Sequence, residues 1–119
     1  MTVNHVHLAG RDVKALAAFY ERWFGFRKTA DHGEGMFLRD GAGFLLALDP
    51  AKEDAAFPPW FHLGFCLGSA AEVKALHARM KAAGVPFARD LLDFEGEAAA
   101  FYCLDPAGTK IEVSWHADE

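Results

Sequence analysis

The stretch VNHVHL at residues 3–8 begins one half of this chain, and the stretch FHLGFC at residues 61–66 begins the other. In the first stretch Val3, His5 and His7 would share one face of a β-strand, and Asn4, Val6 and Leu8 would share the other. Both stretches carry a histidine near their start, His5 or His62. The tetrapeptide VKAL follows both stretches at a similar distance, so we interpret the chain as an internal duplication in which the two histidines are equivalent.

Each half is predicted to contain a strand, a helix and three further strands. Asp12 and Ser69 are favourable N-cap residues for the two helices, and Gly25 is placed to end the first. Turn-forming residues separate the remaining strands. The predicted strands are 3–9, 26–31, 35–39 and 43–48 in the first half, and 60–67, 86–92, 98–104 and 109–115 in the second.

This order predicts an α+β fold with two βαβββ modules, because antiparallel strands with helices on one side are typical of that class. The first module covers residues 1–48 and the second covers residues 60–116, within a single domain of residues 1–119. Residues 49–59 are polar, contain three prolines and are predicted to link the modules. One short sheet with one helix leaves its other face bare, so we expect two modules to curl into a cup-shaped sheet with the site inside.

Composition narrows the class of protein. The chain has 119 residues, of which 52% are hydrophobic and 24% charged, with a net charge of −5. A net negative charge disfavours nucleic-acid partners and anionic membrane surfaces, and no apolar run resembles a signal or membrane segment. We therefore expect a cytoplasmic protein. Cys66 and Cys103 lie in apolar runs and are predicted to be buried free thiols.

Two motifs carry a family resemblance. His5 is followed by Asp12 and by a helix containing Phe19 and Tyr20, and the second half contains FYCLDPAGTKIE at residues 101–112. With the duplicated element order, these motifs resemble the glyoxalase/bleomycin resistance/dioxygenase superfamily, also called the vicinal oxygen chelate fold. The resemblance covers essentially the whole chain.

The resemblance implies a divalent metal, held by the first and last strands of each half. The four ligand positions of the family correspond to His5, Ala47, His62 and Glu112 in this chain. Alanine cannot bind a metal, so the predicted ligands are His5, His62 and Glu112. Two imidazoles and one carboxylate form a recurrent open site for Zn, Mn, Ni or Fe(II), with positions left for water and substrate.

Two further residues are predicted to be catalytic. His7 lies two residues after His5, so its side chain should face the same side of the strand. It could act as a general base or replace the ligand missing at Ala47, although a residue that merely lines the site is the alternative. Tyr102 matches a position where the family often places a hydroxyl that contacts substrate, and packing is its alternative.

Several functions remain open at this point. The ligand set favours a metal-dependent enzyme of the glyoxalase-like lyase or isomerase type, or of the thiol-transferase type, acting on a small oxygen-chelating substrate. Ala47 disfavours true glyoxalase I chemistry. Fosfomycin thiol transferases use a similar ligand set, but few cationic residues are expected near the site, which disfavours a dianionic substrate. The alternatives are a metal-free bleomycin-resistance-type binding protein, a small extradiol-type dioxygenase and a partner-binding domain.

The resemblance also implies an assembly. Short members of the family usually pair as C2 homodimers in which the first half of one chain completes a site with the second half of the other. We therefore expect a homodimer with sites shared between chains, in which His5 meets His62 and Glu112 of the partner.

Overall fold

The structure is a computed structural model that describes residues 1–118, and the chain divides into two compact units. The first unit comprises Met1–Ala56 with Pro106–Gly108, and the second comprises Phe57–Asp105 with the stretch from Thr109 onward. Each unit contains one helix and four strands, so the predicted α+β class and the strand–helix–three-strand order are confirmed. The elements are β1 (His5–Gly10), α1 (Val13–Phe24), β2 (Arg27–His32), β3 (Gly35–Arg39), β4 (Leu45–Pro50), β5 (Leu63–Cys66), α2 (Ala70–Ala82), β6 (Phe87–Phe94), β7 (Ala98–Leu104) and β8 (Lys110–His116).

The helices begin where the sequence predicts. The Asp12 carboxylate accepts a hydrogen bond from the Ala15 amide at 3.0 Å, which satisfies one of the free N–H groups of the first turn of α1. Ser69 does the same for α2 through the Glu72 amide at 3.1 Å. Gly25 ends α1 with a φ of 71°, a left-handed conformation that glycine adopts at little cost.

The two sheets have the same topology. Strand order is β1-β4-β3-β2 in the first unit and β5-β8-β7-β6 in the second. The first and last strands of each unit pair in parallel, and the other neighbours pair antiparallel. The strand that carries His5 therefore lies beside β4, and the strand that follows His62 lies beside β8.

In each unit the helix covers one face of the sheet and leaves the other face open. The core of the first unit contains Leu8, Leu46, Leu48 and Tyr20, all at most 4% exposed. Side chains alternate along a strand, so the neighbours of these core residues, among them His5 and His7, lie on the open face. In the second unit, the buried apolar side chains are Val73, Leu76 and Met80 of α2, Ala99, Phe101 and Cys103 of β7, and Ile111 and Val113 of β8.

Three strands start two or three residues later than the sequence predicts: β1 at His5, β4 at Leu45 and β5 at Leu63, so that His62 lies just before the strand predicted to contain it. The prediction placed a strand at residues 43–48, whereas β4 spans Leu45–Pro50. The Asp40 carboxylate accepts hydrogen bonds from the amides of Ala42 and Phe44, and Gly43 has a φ of 86°. This closed turn uses residues 40–44, so pairing begins only at Leu45.

No helix within residues 1–118 is long and apolar enough to span a membrane.

The two cysteines have different surroundings. Neither forms a disulfide, as predicted, but Cys66 is exposed and only Cys103 is buried. The prediction of burial was wrong for Cys66, which lies on the open face of β5, the strand whose residues are alternately half-buried and exposed. Burial raises the pKa of the Cys103 thiol from 9.0 to about 12.

We expect the exposed Cys66 thiol to react quickly with thiol reagents and the buried Cys103 thiol to be protected. Because the thiolate is the nucleophile, Ellman's reagent should label Cys66 in the native protein and label Cys103 only after denaturation. The neutral Cys103 thiol stabilises the fold below its ordinary pKa of 9.0, and this contribution is lost as pH rises from there through about 12. Equal labelling rates for the two thiols in the native protein would contradict this arrangement.

Candidate functional site

The strand registers identify which residues of the two units are equivalent. Ala47 of β4 lies beside His7 on one side and Phe37 on the other. Glu112 of β8 lies beside Gly64 and Tyr102 in the same way. Ala47 and Glu112 therefore occupy equivalent places in the two sheets, as the predicted duplication requires.

The structure brings His62 and Glu112 together in the second unit. The Nε2 atom of His62 lies 3.2 Å from Oε1 of Glu112, and the two side chains are 35% and 22% exposed. The other ring nitrogen, Nδ1, lies 3.1 Å from the carbonyl oxygen of Trp60. A carbonyl oxygen can only accept a hydrogen bond, so this contact assigns the proton to Nδ1.

This tautomer sets the chemistry of the pair. With its proton on Nδ1, a neutral His62 directs the lone pair of Nε2 at the carboxylate of Glu112. Two acceptors at 3.2 Å repel each other unless a cation lies between them, either a second proton on the ring or a metal ion. The distance also suits two ligands of one metal, because bonds of about 2.1 Å at angles of roughly 90–109° separate the donor atoms by about 3.0–3.4 Å.

His5 has a similar arrangement in the first unit. Its Nδ1 atom lies 2.7 Å from the side-chain oxygen Oδ1 of Asn4, an acceptor that assigns the proton to Nδ1. The Nε2 atom of His5 is thereby left as the atom with a lone pair. Metal-binding histidines in proteins are commonly held in this way, with the second nitrogen donating to an oxygen. The residues present therefore fit a metal that binds through the Nε2 atoms of both histidines.

Tyr102 contacts both members of the His62–Glu112 pair. Its ring lies 5.2 Å from the His62 ring in an edge-on arrangement, and its hydroxyl bonds with the Glu112 carboxylate. Partial burial, followed by the negative charge of Glu112, raises the pKa of the Tyr102 hydroxyl. The hydroxyl therefore remains a donor that orients Glu112.

His7 pairs with a residue that the sequence reasoning missed. Its Nε2 atom lies 2.5 Å from Oδ2 of Asp49, and the two side chains are 59% and 29% exposed. The signal was available, because Asp49 lies two residues after Ala47 and so faces the same side of β4. A Cβ atom at Gly35, on the neighbouring strand, would collide with the Asp49 carboxylate and with the Leu48 carbonyl, so glycine leaves the space that this carboxylate occupies.

The predicted site residues thus fall into two groups. His62, Glu112 and Tyr102 contact one another in the second unit, whereas His5 and His7 lie on β1 in the first unit. Within the part of the chain that the structure describes, no three His, Cys, Asp or Glu side chains converge to hold a metal ion. The structure describes a single chain, in which the His62–Glu112 pair offers two donor atoms.

A pocket of about 270 Å³ adjoins the pair in the second unit. Its lining includes two cations, Arg89 and Lys110, so the expectation of few cationic groups near the site was wrong. The sequence hid them because they are separated by 21 residues and meet only through the register of β6, β7 and β8. Trp60, His62, Ala88 and Tyr102 complete the lining.

Comparison with known proteins finds one matching family model and a similar protein. Residues 2–113 match the model of the Glyoxalase/Bleomycin resistance protein/Dioxygenase superfamily. An uncharacterized protein of Pseudomonas aeruginosa is 32% identical over an alignment of 127 residues. The alignment covers 96% of this chain and 88% of that protein.

Two solved structures are also similar. A protein from Bacillus cereus described as a possible glyoxalase is 33% identical, with a TM-score of 0.80 over 95% of this chain and 97% of that one. A mutant of the fosfomycin resistance protein FosX from Listeria monocytogenes, in complex with Mn(II) and 1S,2S-dihydroxypropylphosphonic acid, is 20% identical. Its TM-score is 0.78 over 98% of this chain and 89% of that one, and this second likeness shows the fold alone.

Proposed function

Since the chain belongs to the glyoxalase/bleomycin resistance/dioxygenase superfamily, we propose that it is a metal-dependent enzyme acting on a small oxygen-chelating substrate. The reaction class that we propose is isomerase, lyase or thiol-transferase chemistry. The observation that carries the proposal is the contact between the Nε2 atom of His62 and the Glu112 carboxylate, because the bond from Nδ1 to Trp60 turns a lone pair toward that carboxylate.

The residues proposed to hold the metal are His5, His62 and Glu112. His5 and His62 would each bind the metal through Nε2. Their Nδ1–H groups donate hydrogen bonds to oxygen atoms of Asn4 and Trp60 and are not available as ligands. Manganese is one candidate beside Zn, Ni and Fe(II), because the similar FosX structure contains Mn(II). Such a metal, when bound, polarises a substrate oxygen and stabilises the negative charge that develops there.

The remaining residues supply orientation and proton transfer. Tyr102 donates to Glu112 and fixes the carboxylate, and this bond leaves the tyrosine hydroxyl less free to contact substrate. His7 is proposed as the general base. If its Nε2–H donates to Asp49, then Nδ1 carries the lone pair and is the atom that accepts a proton. Asp49 acts on the reaction through the orientation of this ring.

Metal analysis tests the proposal. We expect plasma mass spectrometry to find about one equivalent of metal per chain in the wild-type protein after reconstitution, and little in His5→Gln or Glu112→Gln. His77→Gln is the matched control, because His77 also contacts a carboxylate, at 2.6 Å from Asp90, but lies outside the proposed site. Absence of metal from the reconstituted wild-type protein would favour the alternative of a metal-free, ligand-sequestering protein.

Mixing the two variants tests the proposed shared sites of a homodimer. When His5→Gln and Glu112→Gln chains are unfolded and refolded together, half of the dimers are mixed. If the first half of one chain joins the second half of the other, each mixed dimer has one intact site and one doubly changed site. The mixture should then regain about a quarter of the wild-type metal content. No regain, or a monomeric mass in light scattering, would exclude shared sites.

A further inference from the structure

The pocket beside the His62–Glu112 pair combines positive charge with an exposed aromatic surface. Arg89 of β6 lies beside Tyr102 of β7, which lies beside Glu112 of β8, so these three side chains form a row across the open face of the sheet. Lys110 lies two residues before Glu112 on the same face of β8. Both cations line the pocket together with His62.

Neither Arg89 nor Lys110 forms an ion pair with an aspartate or glutamate among residues 1–118. Lys110 donates to the carbonyl oxygen of Pro59 and lies 5.9 Å from the centre of the Tyr102 ring. By contrast, Lys28, Lys74 and Lys81 each lie within 4 Å of an aspartate. Arg89 and Lys110 together carry two positive charges beside the single negative charge of Glu112, so this region is locally positive in a chain with a net charge of −5.

The cations are specific to the second unit. The register places Ala30 beside Phe37 in the first unit, as it places Arg89 beside Tyr102 in the second. Leu45 stands two residues before Ala47, as Lys110 stands two residues before Glu112. The duplicated sheet therefore has apolar residues at the equivalent positions, and the cations are not required by this topology.

Trp60 adds an apolar wall to the pocket. Its side chain lines the pocket and is 75% exposed, so the apolar surface of the indole is accessible to a bound molecule. The carbonyl oxygen of the same residue fixes the tautomer of His62. Because His62 lines the same pocket, a ligand that contacts this indole would share the pocket with the His62 ring.

We propose that this pocket binds a small organic anion, a carboxylate or phosphonate, with its charged group between Arg89 and Lys110 and its carbon skeleton against Trp60. The role of this anion as substrate rests on the function proposed above, since an oxygen of the bound molecule would then reach the metal held by His62 and Glu112. Anion binding itself requires no metal, because Arg89 and Lys110 supply the charge. The ligand class is thereby narrowed from any chelating molecule to one with an acidic group.

Calorimetric titration of the metal-free protein with phenylphosphonate and with benzoate tests the proposal. We expect binding that weakens with added salt, and no binding of neutral benzyl alcohol at the same concentrations. Arg89→Gln should weaken anion binding by roughly tenfold or more, because a charge-assisted bond to the anion is lost. Arg27→Gln is the matched control, an exposed strand arginine of the first unit that should leave the affinity unchanged.

The outcomes separate this proposal from the metal proposal. Equal affinity in the wild-type protein and in Arg89→Gln, or no binding of either anion at millimolar concentration, would overturn the anion pocket. Metal content measured on the same preparations should be unchanged in Arg89→Gln. Anion binding without metal uptake would support the anion-binding pocket and contradict the proposal that the protein is a metal-dependent enzyme.

Discussion

Replacing Phe101 with alanine is expected to lower the free energy of unfolding by about 3–5 kcal/mol. Phe101 is fully buried in the second unit, and its ring packs edge-on against Phe87 at 5.6 Å and against His77 at 5.3 Å. The loss combines the transfer of a large apolar side chain with the cavity that remains between α2 and the sheet. A loss of this size is comparable to much of the total stability of a small domain. Urea denaturation followed by circular dichroism measures it.

Phe94→Ala is the matched control for this prediction. Phe94 is also a strand phenylalanine of the second unit, but it is 57% exposed. Its replacement should change the free energy of unfolding by about 0.5 kcal/mol or less. Similar losses for the two variants would mean that the described core is not the one that stabilises the protein.

Replacing His62 with glutamine is expected to weaken metal binding by at least about 100-fold. Removal of residues that only support a ligand typically costs 10–100-fold in affinity, and loss of a ligand itself should cost more. The variant removes the Nε2 atom that lies 3.2 Å from Glu112 and leaves that carboxylate as the remaining donor of the second unit's pair. Competition with a chromophoric chelator measures the dissociation constant in both proteins.

Compared with His62→Gln, Tyr102→Phe should have a smaller effect on metal affinity. This variant keeps the ring beside His62 and removes only the hydroxyl that orients Glu112, so we expect a loss of about tenfold. An order in which Tyr102→Phe binds metal more weakly than His62→Gln would contradict the proposed ligand role of His62. Unchanged affinity in both variants would remove His62 and Tyr102 from the site.

Much of the fold could be predicted because its signals are local. The N-cap residues Asp12 and Ser69 and the glycine at the end of α1 each act over a few residues. The start of β4 could not be predicted in the same way. It depends on the Asp40 carboxylate, which closes a turn through two hydrogen bonds that the run GFLLAL does not reveal.

In the candidate site too, some residues could be predicted from the sequence and others could not. The family resemblance implied that His62 and Glu112 share a site, and in the structure the Nε2 atom of His62 lies 3.2 Å from Oε1 of Glu112. Their assignment as metal ligands stays a prediction. Asp49 was missed although its spacing from Ala47 indicated the face it shares, whereas Arg89 and Lys110 were missed because they meet only through the pairing of neighbouring strands.

The sequence by itself determined the duplication, the α+β class and the side of β1 that His5 and His7 face, because these follow from spacing along one segment. The tertiary structure alone decided which nitrogen of His62 carries the proton, since that depends on the Trp60 carbonyl. It also decided that Arg89 and Lys110 line one pocket, although 21 residues separate them. Hydrogen bonding and charge act through distance in space, and only the register of neighbouring strands sets those distances.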